Sequence, residues 1–201
     1  MSLAPFYPIV DSAAWVERLV GAGARLIQLR VKDRPEAEVE PEARTALAIC
    51  ERAGATLVVN DYWRVALAIG APWVHLGQED LDTADLPAIR AAGIKLGVST
   101  HDEAELERAL ALAPDYVALG PIYPTILKAM RVGPQGLDRI GEWKRRIGAL
   151  PLVAIGGLSV ERGQACLAAG ADIVSVVTDI TLNADPEGRA QQWVAATRPR
   201  P

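Results

Sequence analysis

Cysteine is scarce in this chain of 201 residues, with only Cys50 and Cys166. Two thiols cannot build a disulfide framework, and neither lies near another metal-type ligand in the sequence, so a stapled scaffold or a cysteine metal cluster is excluded. A surplus of either charge is also missing: 21 basic residues stand against 25 acidic ones, a net charge of −4. There is no electrostatic footprint for nucleic acid or an anionic membrane. Nor is there a general attraction for an anionic substrate, so any phosphate site must be built locally. No stretch reaches the roughly 18 uninterrupted apolar residues of a spanning helix. Met1 to Val10 lacks the basic-then-apolar pattern of an export signal. Disorder is excluded too, because 50% of the residues are hydrophobic and only 23% are charged. The expectation is a cytoplasmic enzyme-sized domain spanning residues 1–201, with a short tail at 198–201. Nucleic-acid and membrane partners are not expected, and oligomeric state is left open.

What the chain does contain is a recurring punctuation. Helical stretches end in small residues, often with glycine, and a short apolar run follows. The runs are Phe6–Val10, Arg25–Leu29, Thr56–Val59, Trp73–Leu76, Lys95–Val98, Asp115–Leu119, Leu152–Ile155 and Asp172–Val176. They are rich in Val, Ile and Leu and do not alternate with polar residues, as expected of parallel strands covered on both faces. Between them lie amphipathic stretches such as Asp102–Leu112 and Glu161–Ala169. Eight evenly spaced strand–helix units predict a single-domain (β/α)₈ TIM barrel, and a doubly wound open sheet is the architectural alternative.

In such a barrel the active site lies at the carboxyl ends of the strands. Those ends carry Gln28, Arg30 and Lys32, then Asn60 and Asp61, Gln78 and Asp80, Ser99 and His101, Thr125 and Lys128, Gly156-Gly157, and Val177-Thr178. The opposite ends carry mostly Ala, Gly and Pro. This asymmetry is what points to an enzyme. Arg30 and Lys32 flank Val31 and share a face in an extended segment, which suits a phosphate or pyrophosphate. Solvated charges at an exposed strand end would read the same way. Asp61 and Asp80 end adjacent strands and suit one Mg²⁺ completed by substrate oxygens; helix N-capping is the plainer role for Asp61, and for Asn60. Gly156-Gly157 and Val177-Thr178 fit a phosphate site of backbone N–H groups, although tight turns also use double glycines. His101 reads as a surface residue and His75 as a hydrogen-bonded core histidine. Ser99 lacks an obvious base and carboxylate, which argues against a catalytic triad.

Gln28-Leu29-Arg30-Val31-Lys32, Asn60-Asp61, His75 to Asp80, Gly97-Val98-Ser99, Gly120 to Thr125 with Lys128, Ile155-Gly156-Gly157 and Val177-Thr178 together resemble the thiamine-phosphate synthase family. The match runs in order through seven strand ends. The resemblance implies a transferase that joins an aminopyrimidine diphosphate to a thiazole phosphate, releasing pyrophosphate with the aid of Mg²⁺. It assigns Gln28, Leu29, Arg30, Val31, Lys32, Asn60, Ser99 and Lys128 to the pyrimidine diphosphate. Thr125, Ile126, Leu127, Gly157, Val177 and Thr178 are assigned to the thiazole phosphate, and Asp61 and Asp80 to the metal. Arg30, Lys32, Lys128 and Ser99 are the expected catalytic set.

One position departs from the family. Its usual Thr-any-Thr-Lys reads Thr125-Ile126-Leu127-Lys128 here, so the second hydroxyl is missing. Three alternatives compete. A thiazole tautomerase of the same fold would be expected to discard the cations and metal carboxylates, which this chain keeps. A non-catalytic regulator that binds thiamine intermediates finds support only in Leu127. An unrelated phosphate-binding barrel isomerase leaves Asp61 and Asp80 without a role.

Overall fold

The computed structural model describes residues 3–125 and 133–198. Eight strands form a closed parallel barrel in sequence order: β1 (Phe6–Val10), β2 (Leu26–Leu29), β3 (Thr56–Asn60), β4 (Trp73–Leu76), β5 (Lys95–Thr100), β6 (Tyr116–Leu119), β7 (Leu152–Ile155) and β8 (Ile173–Val176). Closure is made by β1 against β8, where Tyr7 pairs with Ser175. The connecting helices are α1 (Ala13–Gly21), α2 (Glu36–Arg52), α3 (Trp63–Ile69), α4 (Leu86–Ala91), α5 (Glu103–Ala111), α6 (Gly136–Ile147) and α7 (Val160–Ala168). A single turn, α8 (Thr178–Thr181), and a terminal helix, α9 (Pro186–Ala196), follow the last strand. The open-sheet alternative is thereby set aside. Among the described residues, no helix is long and apolar enough to cross a membrane.

The strands lack polar alternation because both faces are buried. One face meets the helices in an outer core that includes Leu29, Val59, Val98, Leu119 and Val176. The other fills the barrel with a second, smaller cluster of Tyr7, Leu26, Val58, Trp73, Tyr116, Ala118, Val153 and Ile173. Helix starts are set by short polar side chains: Ser12, Asp85, Asp102, Ser159 and Asp185 each accept a backbone N–H three residues on. Several helices end before a glycine of positive φ, among them Gly54, Gly70 and Gly93.

Strand boundaries differ from the sequence runs for two physical reasons. Asp115 and Asp172 lie just outside their strands. Each carboxylate instead accepts a backbone N–H near the start of a neighbouring strand, that of Leu96, second residue of β5, and that of Leu152, first residue of β7, respectively. At the other end, β3 and β5 run on to Asn60 and Thr100, because the ladder continues through polar residues: Asn60 pairs with His75, and Ser99 with Ala118.

Candidate active site

The carboxyl ends of the strands form the mouth of the barrel, and most of the candidate residues meet there. Arg30 follows β2 and is tied by its backbone N–H to Val10 O at 2.7 Å. Val31 is buried in the outer core, while Arg30 is half-buried and Lys32 exposed on either side of it. Among the described residues, neither cation makes an ion pair or a side-chain hydrogen bond. Other cations are paired: Arg18 with Glu187, Arg44 with Glu40, Arg108 with Asp82 and Arg189 with Asp179. Two unpaired cations at one strand end leave positive charge available at the mouth. Leu29 and Val31 turn their side chains into the outer core, so only their backbones remain for a ligand.

Asp61 does not cap a helix. Tyr62 occupies that place, with no side-chain bond. Instead, Asp61 sits at φ +61°, where its N–H still reaches the β4 ladder through His75 O at 2.9 Å. Asp is one of the few non-glycine residues that tolerate this left-handed region. Burial and the neighbouring Asp80 carboxyl push its pKa from 3.8 up to about 6, with the charge of Arg30 opposing the rise. Asp80 begins the short 3₁₀ turn Asp80–Asp82 and accepts the N–H of Gly77 at 3.0 Å.

Two crowded carboxyls in a site with no third metal-type ligand among the described residues suit a hard cation that keeps water and substrate oxygens. The donor set therefore fits Mg²⁺. Nearby, Asn60 is buried on β3, and its Nδ2 has no hydrogen-bond partner; the same holds for Oε1 of Gln78. An amide nitrogen left unpaired in a buried position is available to a ligand acceptor.

Below this rim lies a neutral polar floor. Gln28 is buried and donates through Nε2 to Tyr7, so that nitrogen is already engaged. Ser99, on β5, has a partner that sequence reasoning missed: its Oγ is 2.8 Å from Nε2 of His75. His75 is a buried core histidine, as expected, and burial together with the charges of Arg30 and His101 pushes its pKa down to about 4. His101 is half-buried rather than a free surface residue, with Nδ1 2.7 Å from Glu105 Oε2. Tyr7 and Tyr116 were not singled out from the sequence. Their signal was positional, since both occupy barrel-facing positions in apolar strands where a phenol must find a partner.

On the far side of the mouth, Gly156 (φ +103°) and Gly157 (φ +65°) are indispensable as glycines. A Cβ at Gly156 would stand 2.6 Å from Cα of Pro121, and one at Gly157 would enter the backbone at Pro124. The loop after β6 thus lies directly on the loop after β7, with Tyr123 N–H donating to Gly156 O at 3.0 Å. Arg162 donates to Gly157 O at 2.7 Å and covers the Tyr123 ring at 4.7 Å. Val177 and Thr178 are half-buried at the start of α8, which is anchored from behind by Asp179. That carboxylate accepts from Arg189 at 2.8 and 3.1 Å and from Trp193 Nε1 at 2.8 Å. Thr125 is half-buried at the edge of the loop. Ile126, Leu127 and Lys128 lie outside the described residues.

Comparison with known proteins gives this mouth its context. A family model described as thiamine monophosphate synthase matches residues 6–180. The chain is 61% identical over 199 residues to the thiamine-phosphate synthase of Rhizobium etli, covering 99% of this chain and 98% of that one. It is 52% identical over 191 residues to the thiamine-phosphate synthase of Salmonella newport, covering 95% and 87%. Among solved structures, a thiamine phosphate pyrophosphorylase from Pyrococcus furiosus superposes with a TM-score of 0.85 at 25% identity, over 96% of this chain and 94% of that one. A 3-hexulose-6-phosphate synthase shares the fold, with a TM-score of 0.68 at 17% identity over 96% and 99%. The model match spans every strand of the barrel and its whole mouth up to α8: the chain belongs to the thiamine monophosphate synthase family.

Proposed function

We propose that this protein is a thiamine-phosphate synthase that joins 4-amino-2-methyl-5-hydroxymethylpyrimidine diphosphate to a 4-methyl-5-hydroxyethylthiazole phosphate, with or without its carboxyl group. The bond formed is between the thiazole nitrogen and the exocyclic methylene carbon of the pyrimidine. The bond broken is between that carbon and the diphosphate oxygen, which departs with the electron pair as pyrophosphate. The observation that carries this reading is the pairing of unpartnered Arg30 and Lys32 with the crowded carboxyls of Asp61 and Asp80 at one barrel mouth.

Negative charge grows on the leaving oxygens as the bond to carbon breaks. Arg30 and Lys32 supply fixed positive charge there; among the described residues neither is held in an ion pair, although the Asp61 carboxyl lies near enough to feel the charge of Arg30. Lys128 is assigned the same work by family resemblance. Asp61 and Asp80 would hold Mg²⁺, which supplies further charge for the diphosphate oxygens. The aminopyrimidine can itself share the positive charge left on its methylene, so no protein nucleophile is needed. This accounts for a site without a triad. The unpaired Nδ2 of Asn60 and the Ser99 hydroxyl face the same task of orienting the pyrimidine. Gly157, Val177 and Thr178, with Thr125, are the proposed thiazole phosphate side, and the resemblance assigns Ile126 and Leu127 to the same substrate, so that both reactants would meet in one geometry.

Purified protein given Mg²⁺ and both substrates is expected to release thiamine monophosphate and pyrophosphate in equal amounts, with one carbon dioxide lost as well when the thiazole phosphate carries its carboxyl group. Folded protein that binds the thiazole phosphate but forms neither product would refute the assignment and favour a tautomerase or regulator.

A further inference from the structure

One chain of hydrogen bonds crosses the interior of the barrel beneath the mouth. Gln28 Nε2 on β2 donates to the Tyr7 hydroxyl on β1 at 2.8 Å, and the Tyr7 and Tyr116 hydroxyls lie 3.0 Å apart. The Tyr116 hydroxyl is 2.7 Å from Nδ1 of His75, whose Nε2 is 2.8 Å from Ser99 Oγ. Five residues from five strands are thus linked end to end. Sterics hold the chain in place: the Tyr116 ring occupies the space a Cβ on Gly97 would need, so only glycine fits there. The same ring stacks on His75, with centroids 5.6 Å apart and planes inclined by 16°, and meets Tyr7 edge-on.

Counting protons gives the chain a direction. Tyr7 and Tyr116 are fully buried phenols whose ionisation is strongly disfavoured, so each keeps its proton. The Tyr7 oxygen accepts from Gln28; its own proton then has one acceptor among the described residues, the Tyr116 oxygen. The Tyr116 hydroxyl donates its hydrogen bond to Nδ1 of His75, which must be bare to accept it. His75 is buried between two hydroxyls and has no carboxylate partner among the described residues, so the ring carries a single N–H, which sits on Nε2 and donates to Ser99. The serine oxygen is then an acceptor toward the protein and keeps its own proton for something else. With the Gln28 amide turned the other way, every proton would reverse and the Ser99 proton would be spent on His75.

We propose that His75 and Tyr116 are positioning residues that act on the reaction through Ser99, fixing its hydroxyl so that it donates its proton to a ring nitrogen of the bound aminopyrimidine. The proposal rests on the reading above that Ser99 faces the pyrimidine. A fixed donor distinguishes a heteroaromatic nitrogen, an acceptor, from a carbon or an N–H at the same place, and holds the ring in one rotation about its methylene carbon.

The test has a spectroscopic arm and a kinetic one. The chain holds two histidines, so protein labelled with ¹⁵N-histidine carries four labelled ring nitrogens, and a His101→Asn variant assigns them. The expected result is a bare Nδ1 and a protonated Nε2 on His75. The opposite tautomer reverses the chain and overturns the proposal. In the kinetic arm, Tyr116→Phe, Ser99→Ala and their double variant are compared. Tyr116→Phe is expected to cut kcat/KM for the pyrimidine diphosphate about tenfold, the worth of one neutral hydrogen bond, while leaving KM for the thiazole phosphate unchanged. In the Ser99→Ala background the same substitution should add nothing. His75→Gln, which keeps a side-chain N–H donor, should retain more activity than His75→Leu. A slowed Ser99→Ala enzyme with a fully additive Tyr116→Phe loss would refute the relay alone. Wild-type rate in Ser99→Ala would refute the placement of the pyrimidine at Ser99, and the relay with it.

Discussion

Replacing Asp61 by Asn separates what this residue does for the reaction from what it costs the fold. Asparagine tolerates the left-handed backbone at φ +61° as aspartate does, so the substitution removes charge without adding backbone strain. In the metal-free protein the Asp61 pKa stands near 6 against 3.8 unfolded, raised by burial and by Asp80. As pH climbs from about 4 to about 6, the native state retains a proton that the unfolded chain has released, so stability falls through that window. Two pKa units at about 1.4 kcal/mol each set a ceiling of about 3 kcal/mol. Asp61 is partly solvated, and screening there brings the penalty to roughly 1–2 kcal/mol.

Metal-free Asp61→Asn protein is therefore expected to be more stable than the parent at pH 7.5, by roughly 1–2 kcal/mol, or about 2–8 °C in melting temperature for a chain of this size. Toward pH 4 and below it the difference should shrink away, because the parent carboxyl becomes progressively protonated in both states. Mg²⁺ should raise the melting temperature of the parent and not that of the variant, whose turnover should collapse. The assay is a thermal melt with chelator or Mg²⁺ across pH 4 to 8. A variant less stable than the parent at pH 7.5 without metal, or a gain that persists unchanged at pH 4, would refute the argument.

Arg30→Gln should raise KM for the pyrimidine diphosphate roughly 10–100-fold, the scale of a lost charge-assisted contact, with KM for the thiazole phosphate unchanged in steady-state assays. Cys50 and Cys166 are buried, and burial pushes both thiols up to about 11, so neither should react with an aromatic disulfide reagent at pH 8 until denaturant exposes both; prompt labelling of folded protein would contradict this. Gly97→Ala forces a methyl group into the Tyr116 ring and should cost about 1–3 kcal/mol or more in a denaturant titration.

The barrel was legible because its periodicity is crude and repeated: eight apolar runs separated by helices leave few other arrangements. The strand ends were less so. Hydropathy marks where apolar residues stop, whereas the ladder stops where backbone pairing does. Asn60 and Ser99 therefore belong to strands although they read as loop residues. Their placement matters, since groups fixed in a strand hold their positions better than groups on a loop. Arg30, Lys32, Asp61 and Asp80 could be found as types at strand ends. What the sequence could not show was the absence of internal partners, and that absence separates the two cations here from ion-paired arginines such as Arg18 and Arg44. The Ser99–His75 bond was hidden for another reason: the two residues are 24 apart in the chain and become neighbours only through the pairing of β4 with β5.

The vertical order of the barrel interior follows from the same electrostatics. At the bottom, Leu26, Trp73, Val153 and Ile173 are apolar. Above them stand amide, phenol, imidazole and hydroxyl groups, all neutral; the unpaired cations and crowded carboxyls gather at the rim, while at the opposite end Lys95 lies over the Trp73 ring. A carboxylate in place of Gln28 or His75 would be buried just below Arg30 and would pair with it. That pair would neutralise the cation required by a diphosphate and would have to be broken at every turnover. A second cation there would instead oppose the positive charge that develops on the pyrimidine methylene. Neutral groups fill the layer without working against the chemistry above it, and Gln28, Tyr7, Tyr116, His75 and Ser99 satisfy one another, whereas Ser175 Oγ on β8 has no partner among the described residues. The burial that holds His75 unprotonated and the tyrosines un-ionised is thus part of how the mouth keeps its charges available.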